Sequence, residues 1–314
     1  MNARPPPRRR SRWTLPVVGL LILAGLVGAQ YLAVQRAQQS SDWLIGRARP
    51  WIDARYESVW SWAGGGAHGE AVSARPGPLL MRDHAWLGGS LLTAPRVIVD
   101  EYRRYEDGTP ELLRVEVPEW TLELPPQADL LAEGLPTPRR GIYPLHLRRL
   151  GYTRLSGSAT LEVRFVPEAR ALTVRWRARV EDFLDWDLHF ELDTDRAILD
   201  GIPDSLGLRF LELQLGDLGL MGRYRDRVAT ERRLSLPAAE AALVRPFDQW
   251  AERQDMQWSP ETANALRRFL RGGARLRLRM DPLADIALRD YELYAERDWP
   301  VLLGLEASAE TLAR

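Results

Sequence analysis

Residues 161–192 read LEVRFVPEARALTVRWRARVEDFLDWDLHFEL, and apolar and charged residues alternate along them with a period of two. Leu161, Val163 and Phe165 alternate with Glu162 and Arg164. Leu172, Val174, Trp176, Ala178 and Val180 alternate with Arg175, Arg177 and Arg179. Trp186, Leu188, Phe190 and Leu192 alternate with Asp187, His189 and Glu191. Successive side chains of a strand point to opposite faces, so each run presents one apolar and one charged face. Pro167-Glu168-Ala169-Arg170 reads as the first turn. The three runs predict an antiparallel meander. The arginines of its middle strand then stand opposite acids on both neighbours, and such cross-strand pairs contribute about 0.2–1 kcal/mol each.

Outward from the meander the same period continues. Strands are predicted over 96–105, 112–117 and 120–124, the first two joined by a hairpin at Glu106-Asp107-Gly108. Residues 125–141 are proline-rich and loop-like. A strand over 206–215 changes apolar parity near Phe210-Leu211, which predicts a bulge. The period then becomes helical. Asp217 to Arg233 offers Leu220, Met221, Tyr224 and Val228, and Ser235 caps a second helix in which Pro246 is expected to break or bend the run. Ser259-Pro260-Glu261 opens a third helix that stops at Gly272-Gly273. Leu276, Leu278 and Met280, alternating with Arg275, Arg277 and Arg279, predict a closing strand, and 288–295 a further one. The fold class is therefore α+β: a long, antiparallel, twisted sheet with helices at about 217–271 inserted between its later strands.

The N-terminus reads differently. Residues 13–35 carry no charge, and at 1.5 Å per residue they reach roughly 34 Å, enough to cross a hydrocarbon core. Five arginines, including Arg8, Arg9 and Arg10, precede this span, whereas Arg36 alone follows it before Arg47. The bias predicts a transmembrane anchor with the 1–12 tail in the cytoplasm and the bulk of the chain in the periplasm of a bacterial cell, with Trp13 and Tyr31 as interfacial anchors. Val27-Gly28-Ala29 leaves a cleaved signal peptide as the other reading. Residues 36–62 are expected to form a juxtamembrane amphipathic helix, with Trp43, Trp51, Trp60 and Trp62 at the membrane interface or packed on the domain. A Gly/Pro linker is read over 63–78, and the periplasmic domain over 79–314.

Composition narrows the chemistry. All 43 basic residues are arginine, balanced by 43 acids, and there is no cysteine. Without lysine there is no Walker A loop, Schiff-base lysine or SxxK motif, and without cysteine no thiolate nucleophile, CxxC pair or disulfide. The zero net charge divides into five positive charges on the tail and five negative on the remainder. The exported arginines alternate with acids, so no basic stripe for nucleic acid arises.

The segments 180–192 (VEDFLDWDLHFEL) and 211–221 (LELQLGDLGLM) resemble the Asp-containing turn and alternating strand of AsmA-like and YdgA-like bacterial periplasmic envelope proteins. The second copy has Asp217 and Gly219; the first has Leu184 where the family has glycine. The resemblance implies a long sheet and a role in envelope or lipid homeostasis. It implies no catalytic residues.

Asp187, His189 and Glu191 share one strand face and form the candidate metal set, set against simple pairing with Arg175, Arg177 and Arg179. Neither a cofactor nor a metal is otherwise expected. The function read from these features is that of a non-catalytic, membrane-anchored envelope protein whose partners are the bilayer and a lipid or an amphipathic envelope protein. A membrane-tethered periplasmic hydrolase built around His189, and a structural subunit of a secretion or division complex, stand as alternatives. An open apolar sheet face points to lipid; a face covered by the 217–271 helices points to a protein.

Overall fold

The computed structural model describes residues 46, 49, 52–55, 58–59, 67–76, 90–106, 110–124, 144–195, 206–283, 290 and 293–312. The meander stands at its centre. Strands β1 (Ile52–Arg55), β2 (Ser58–Val59), β3 (Ala67–Pro76), β4 (Leu91–Arg104), β5 (Pro110–Glu123), β6 (Arg154–Val166), β7 (Ala171–Val180), β8 (Leu184–Thr194), β9 (Leu206–Asp217), β10 (Ala274–Met280) and β11 (Glu306–Thr311) make one eleven-stranded sheet. Its order follows the chain, with β2 beside β3 off the main path, and every pairing is antiparallel.

Register follows the alternation. Leu161 pairs with Trp176 and Trp176 with Leu188, while Glu162 pairs with Arg175 and Arg175 with His189. The predicted bulge occurs in β9: Glu191 faces Phe210 but Leu192 faces Leu208, leaving Arg209 as the extra residue. The two strands expected at 112–117 and 120–124 are one strand. Pro118 has no N–H to give the ladder, and the register shifts between Val117 and Trp120 instead of the strand ending.

Among the described residues, the helices whose bounds are defined are α1 (Pro144–Arg149), α2 (Leu220–Arg232), α3 (Leu236–Arg253), α4 (Pro260–Leu270) and α5 (Trp299–Leu302). In α4, the Ser259 hydroxyl accepts from the Thr262 N–H at 3.1 Å. Helix α3 runs on through Pro246 without interruption. Helix α4 packs on β10 and β11, and α3 bridges α2 and α4.

Three expectations are corrected. The helix read over 36–62 gives way at Ile52 to β1 and β2, and the linker read over 63–78 holds β3. The sheet therefore begins well before residue 79. Both segments draw their order from non-local pairing, β1 and β2 on β3 and β3 on β4, which overrides a few residues of helical spacing. The strand expected over 288–295 does not form at its described positions: Asp290 and Leu293 are in 3-10 turns, Tyr294 is in a bend and Ala295 is irregular, and the last strand is β11. Among the described residues no helix is long and apolar enough to cross a membrane. The 13–35 span, with Arg8, Arg9, Arg10, Trp13 and Tyr31, and the tryptophans Trp43, Trp51, Trp60 and Trp62 lie outside the described residues.

Candidate functional site

Alternation gives the sheet two faces of opposite chemistry. One continuous rung of the polar face runs Glu101, Arg114, Glu162, Arg175, His189, Glu212, Arg279, Glu306 across β4 to β11. Signs alternate along it except at His189. Arg114 reaches Glu162 at 3.1 Å and Glu101 at 3.3 Å, and Arg277 reaches Glu212 diagonally at 2.7 Å.

The candidate metal set is divided among other partners. Asp187 accepts from Arg175 at 3.1 Å and Arg177 at 3.0 Å. Partial burial pushes its pKa up, but these two guanidinium groups outweigh burial and hold the carboxyl below its ordinary value. The Arg175 guanidinium is raised, chiefly by its hydrogen bond to Asp187. Glu191 pairs with the bulge residue Arg209 at 3.2 Å. His189 stands edge-on to Phe210, with ring centroids 5.6 Å apart. Among the described residues no three His, Cys, Asp or Glu side chains converge on a metal position.

Two hollows open on this face. The larger, about 410 Å³, lies over Ser158, Thr160, Arg177, Arg179, Asp185, Asp187, Gln214 and Arg275. On β9, Gly216 leaves a gap that the Asp185 carboxylate fills: a Cβ there would lie 1.9 Å from Asp185 Oδ1. Over that gap Asp185 of β8 and Arg275 of β10 meet at 2.8 Å, across the intervening β9. The smaller, about 240 Å³, lies over Asp100, Arg114, Glu116, Glu162, Arg175 and Arg177. Sequence reasoning missed both hollows, since each is framed by side chains from several strands brought side by side only in the folded sheet.

The apolar face is covered unevenly. At one end Leu155, Val180, Leu184 and Leu276 are buried with Leu147, Leu150 and Tyr152 of the α1 region, Leu220 of α2 and Ala265 and Phe269 of α4. Tyr152 donates its hydroxyl to the Asp182 carbonyl at 2.6 Å. Burial raises its pKa against the opposing pull of Arg223, whose guanidinium lies 4.4 Å from the ring centroid. Asp217, 6% exposed, ties this end together. Its Oδ1 accepts from the N–H of Gly219 and Met221 at 3.3 and 3.0 Å, and its Oδ2 from that of Gly273 at 2.8 Å. A Cβ on Gly219 would sit 2.7 Å from the Asp182 carbonyl oxygen. The Asp-x-Gly of 217–219 is thus a helix start that also holds the turn before β10.

At the other end Phe165, Leu172, Leu192 and Leu208 form a second buried cluster, joined by Met280 and Leu303. Between the two clusters runs the row Val115, Leu161, Trp176, Leu188, Leu213, Leu278, none of it fully buried. Trp176 is 41% exposed and stands edge-on to Trp186 at 5.0 Å. The Trp186 indole N–H is buried without a hydrogen-bond partner. The sequence placed Trp176 on the apolar face but could not show that this row lies beyond the helices.

No family model matches the chain, and no curated protein matches it in sequence.

Proposed function

We propose that the chain is a non-catalytic, membrane-tethered envelope protein whose sheet holds the acyl portion of a lipid. The observation that carries this reading is the half-open row centred on Trp176, which leaves a strip of apolar surface between two closed clusters. The cost of wetting it is about 25 cal/mol per Å² of apolar surface, so an acyl chain laid along it is held by the hydrophobic effect. The uncharged 13–35 segment and its flanking arginines support tethering at the bacterial inner membrane with the sheet in the periplasm. The resemblance of 180–192 and 211–221 to AsmA-like and YdgA-like proteins agrees with a role in lipid handling.

Native mass spectrometry of the full chain, released from mild detergent, tests the proposal. Wild-type protein is expected to retain lipid, and Trp176→Glu to lose it while keeping its circular dichroism. Equal lipid retention by the two, or none by either, sinks the reading.

A further inference from the structure

A separate cavity of about 430 Å³ lies away from the sheet, between the end of α1 and helices α2 and α3. It falls in the size range of small-molecule sites, roughly 300–1,000 Å³. Leu150, Val228, Leu243 and Pro246 give it an apolar wall. Arg149, Arg227, Arg232 and Glu231 give it a charged rim. The rim is not self-neutralising. Arg227 is engaged with Glu231 and with the Arg149 carbonyl, whereas the Arg149 and Arg232 guanidinium groups have no ion pair among the described residues. This is the opposite of the polar sheet face, where carboxylates take up most of the arginines.

We infer that this cavity binds an anionic amphiphile: a short acyl chain against Leu150, Val228 and Leu243, with its carboxylate or phosphate between Arg149 and Arg232. An apolar wall alone would select by size, and two guanidinium groups alone would take any small anion. Both together require an anion attached to an apolar body. Arg232 also stands in the last turn of α2, where a cation complements the helix dipole, and that role accounts for its position but not for Arg149 or the apolar wall.

The test uses the full chain in lipid nanodiscs and a diazirine analogue of octanoate, with labelled peptides mapped by mass spectrometry. Label is expected on the peptides of α1, α2 and α3. Octanoate or octyl phosphate should protect them at least ten times better than octanol, acetate or inorganic phosphate. Arg149→Gln with Arg232→Gln should weaken octanoate protection by at least tenfold, about 1.4 kcal/mol. Leu243→Trp should abolish labelling with the melting temperature retained. Protection by acetate or phosphate as good as by octanoate overturns the amphiphile assignment, and protection by octanol as good overturns the role of the arginines. Label confined to the β6–β8 peptides overturns this site while leaving the sheet proposal standing.

Discussion

Arg175, Trp176 and Arg177 are consecutive, yet they stand in two different energetic situations. On the polar face the two arginines converge on Asp187 at 3.1 and 3.0 Å. On the apolar face Trp176 is 41% exposed, between one cluster roofed by α2 and α4 and another closed by Met280 and Leu303. Charges alternating across a sheet can neutralise one another within the sheet, because each strand brings the partner of the next. Apolar side chains cannot, because covering them needs a second layer, and here that layer stops short.

The largest break in the comparison comes from removing the roof. Phe269→Ala should cost about 3–5 kcal/mol, since a buried aromatic leaves a cavity the helix layer cannot refill; urea unfolding checks this. Asp217→Ala should follow at about 2–4 kcal/mol, because three backbone N–H groups lose one carboxylate, one of them from the turn before β10. Hydrogen exchange should then speed up at both Met221 and Gly273, and an effect at Met221 alone would refute the tie. Gly216→Ala should cost about 1–2 kcal/mol by forcing Asp185 from its place over β9, and Asp185→Ala in the same chain should remove most of that cost.

The smallest effect belongs to the exposed charge lattice. Asp187→Asn should cost at most about 1 kcal/mol, because the pairing arginines are half exposed and screened. Its pH signature is sharper than its size. The folded carboxyl titrates below its ordinary value, so its contribution is complete above that value and is lost as pH falls through the lowered one. Wild type and variant should therefore converge in stability in acid and separate toward neutral pH. A constant difference across that range would contradict the lattice as described.

Much of this contrast was legible in the letters. The period of two over 161–192, the parity change near Phe210 and the Ser259-Pro260 helix start each act through neighbours in sequence, and each appears where expected. What was not legible depends on partners far along the chain. Residues 67–76 look like a linker because Ala, Gly and Ser carry little pattern; they become a strand by pairing with β4. The hollow lined by Asp185, Gln214 and Arg275 requires β8 and β10 to flank β9, and the cavity rimmed by Arg149 and Arg232 joins segments some eighty positions apart. Asp187, His189 and Glu191 share a face as predicted, but their partners come from β7, β9 and the bulge, so they do not act together.

The strand order, which follows the chain from one edge to the other, also bears on how such a sheet can change over generations. From β3 to β11 each strand bonds its immediate predecessor and successor in the chain, so this part of the sheet is close to a one-dimensional array. A hairpin gained or lost between two strands lengthens or shortens the array without disturbing pairings elsewhere. The sign rule along the rungs sets the condition: a new hairpin must bring one basic and one acidic residue in step, as β6 and β7 do with Glu162 and Arg175. Proteins built this way can differ widely in length while keeping one local grammar.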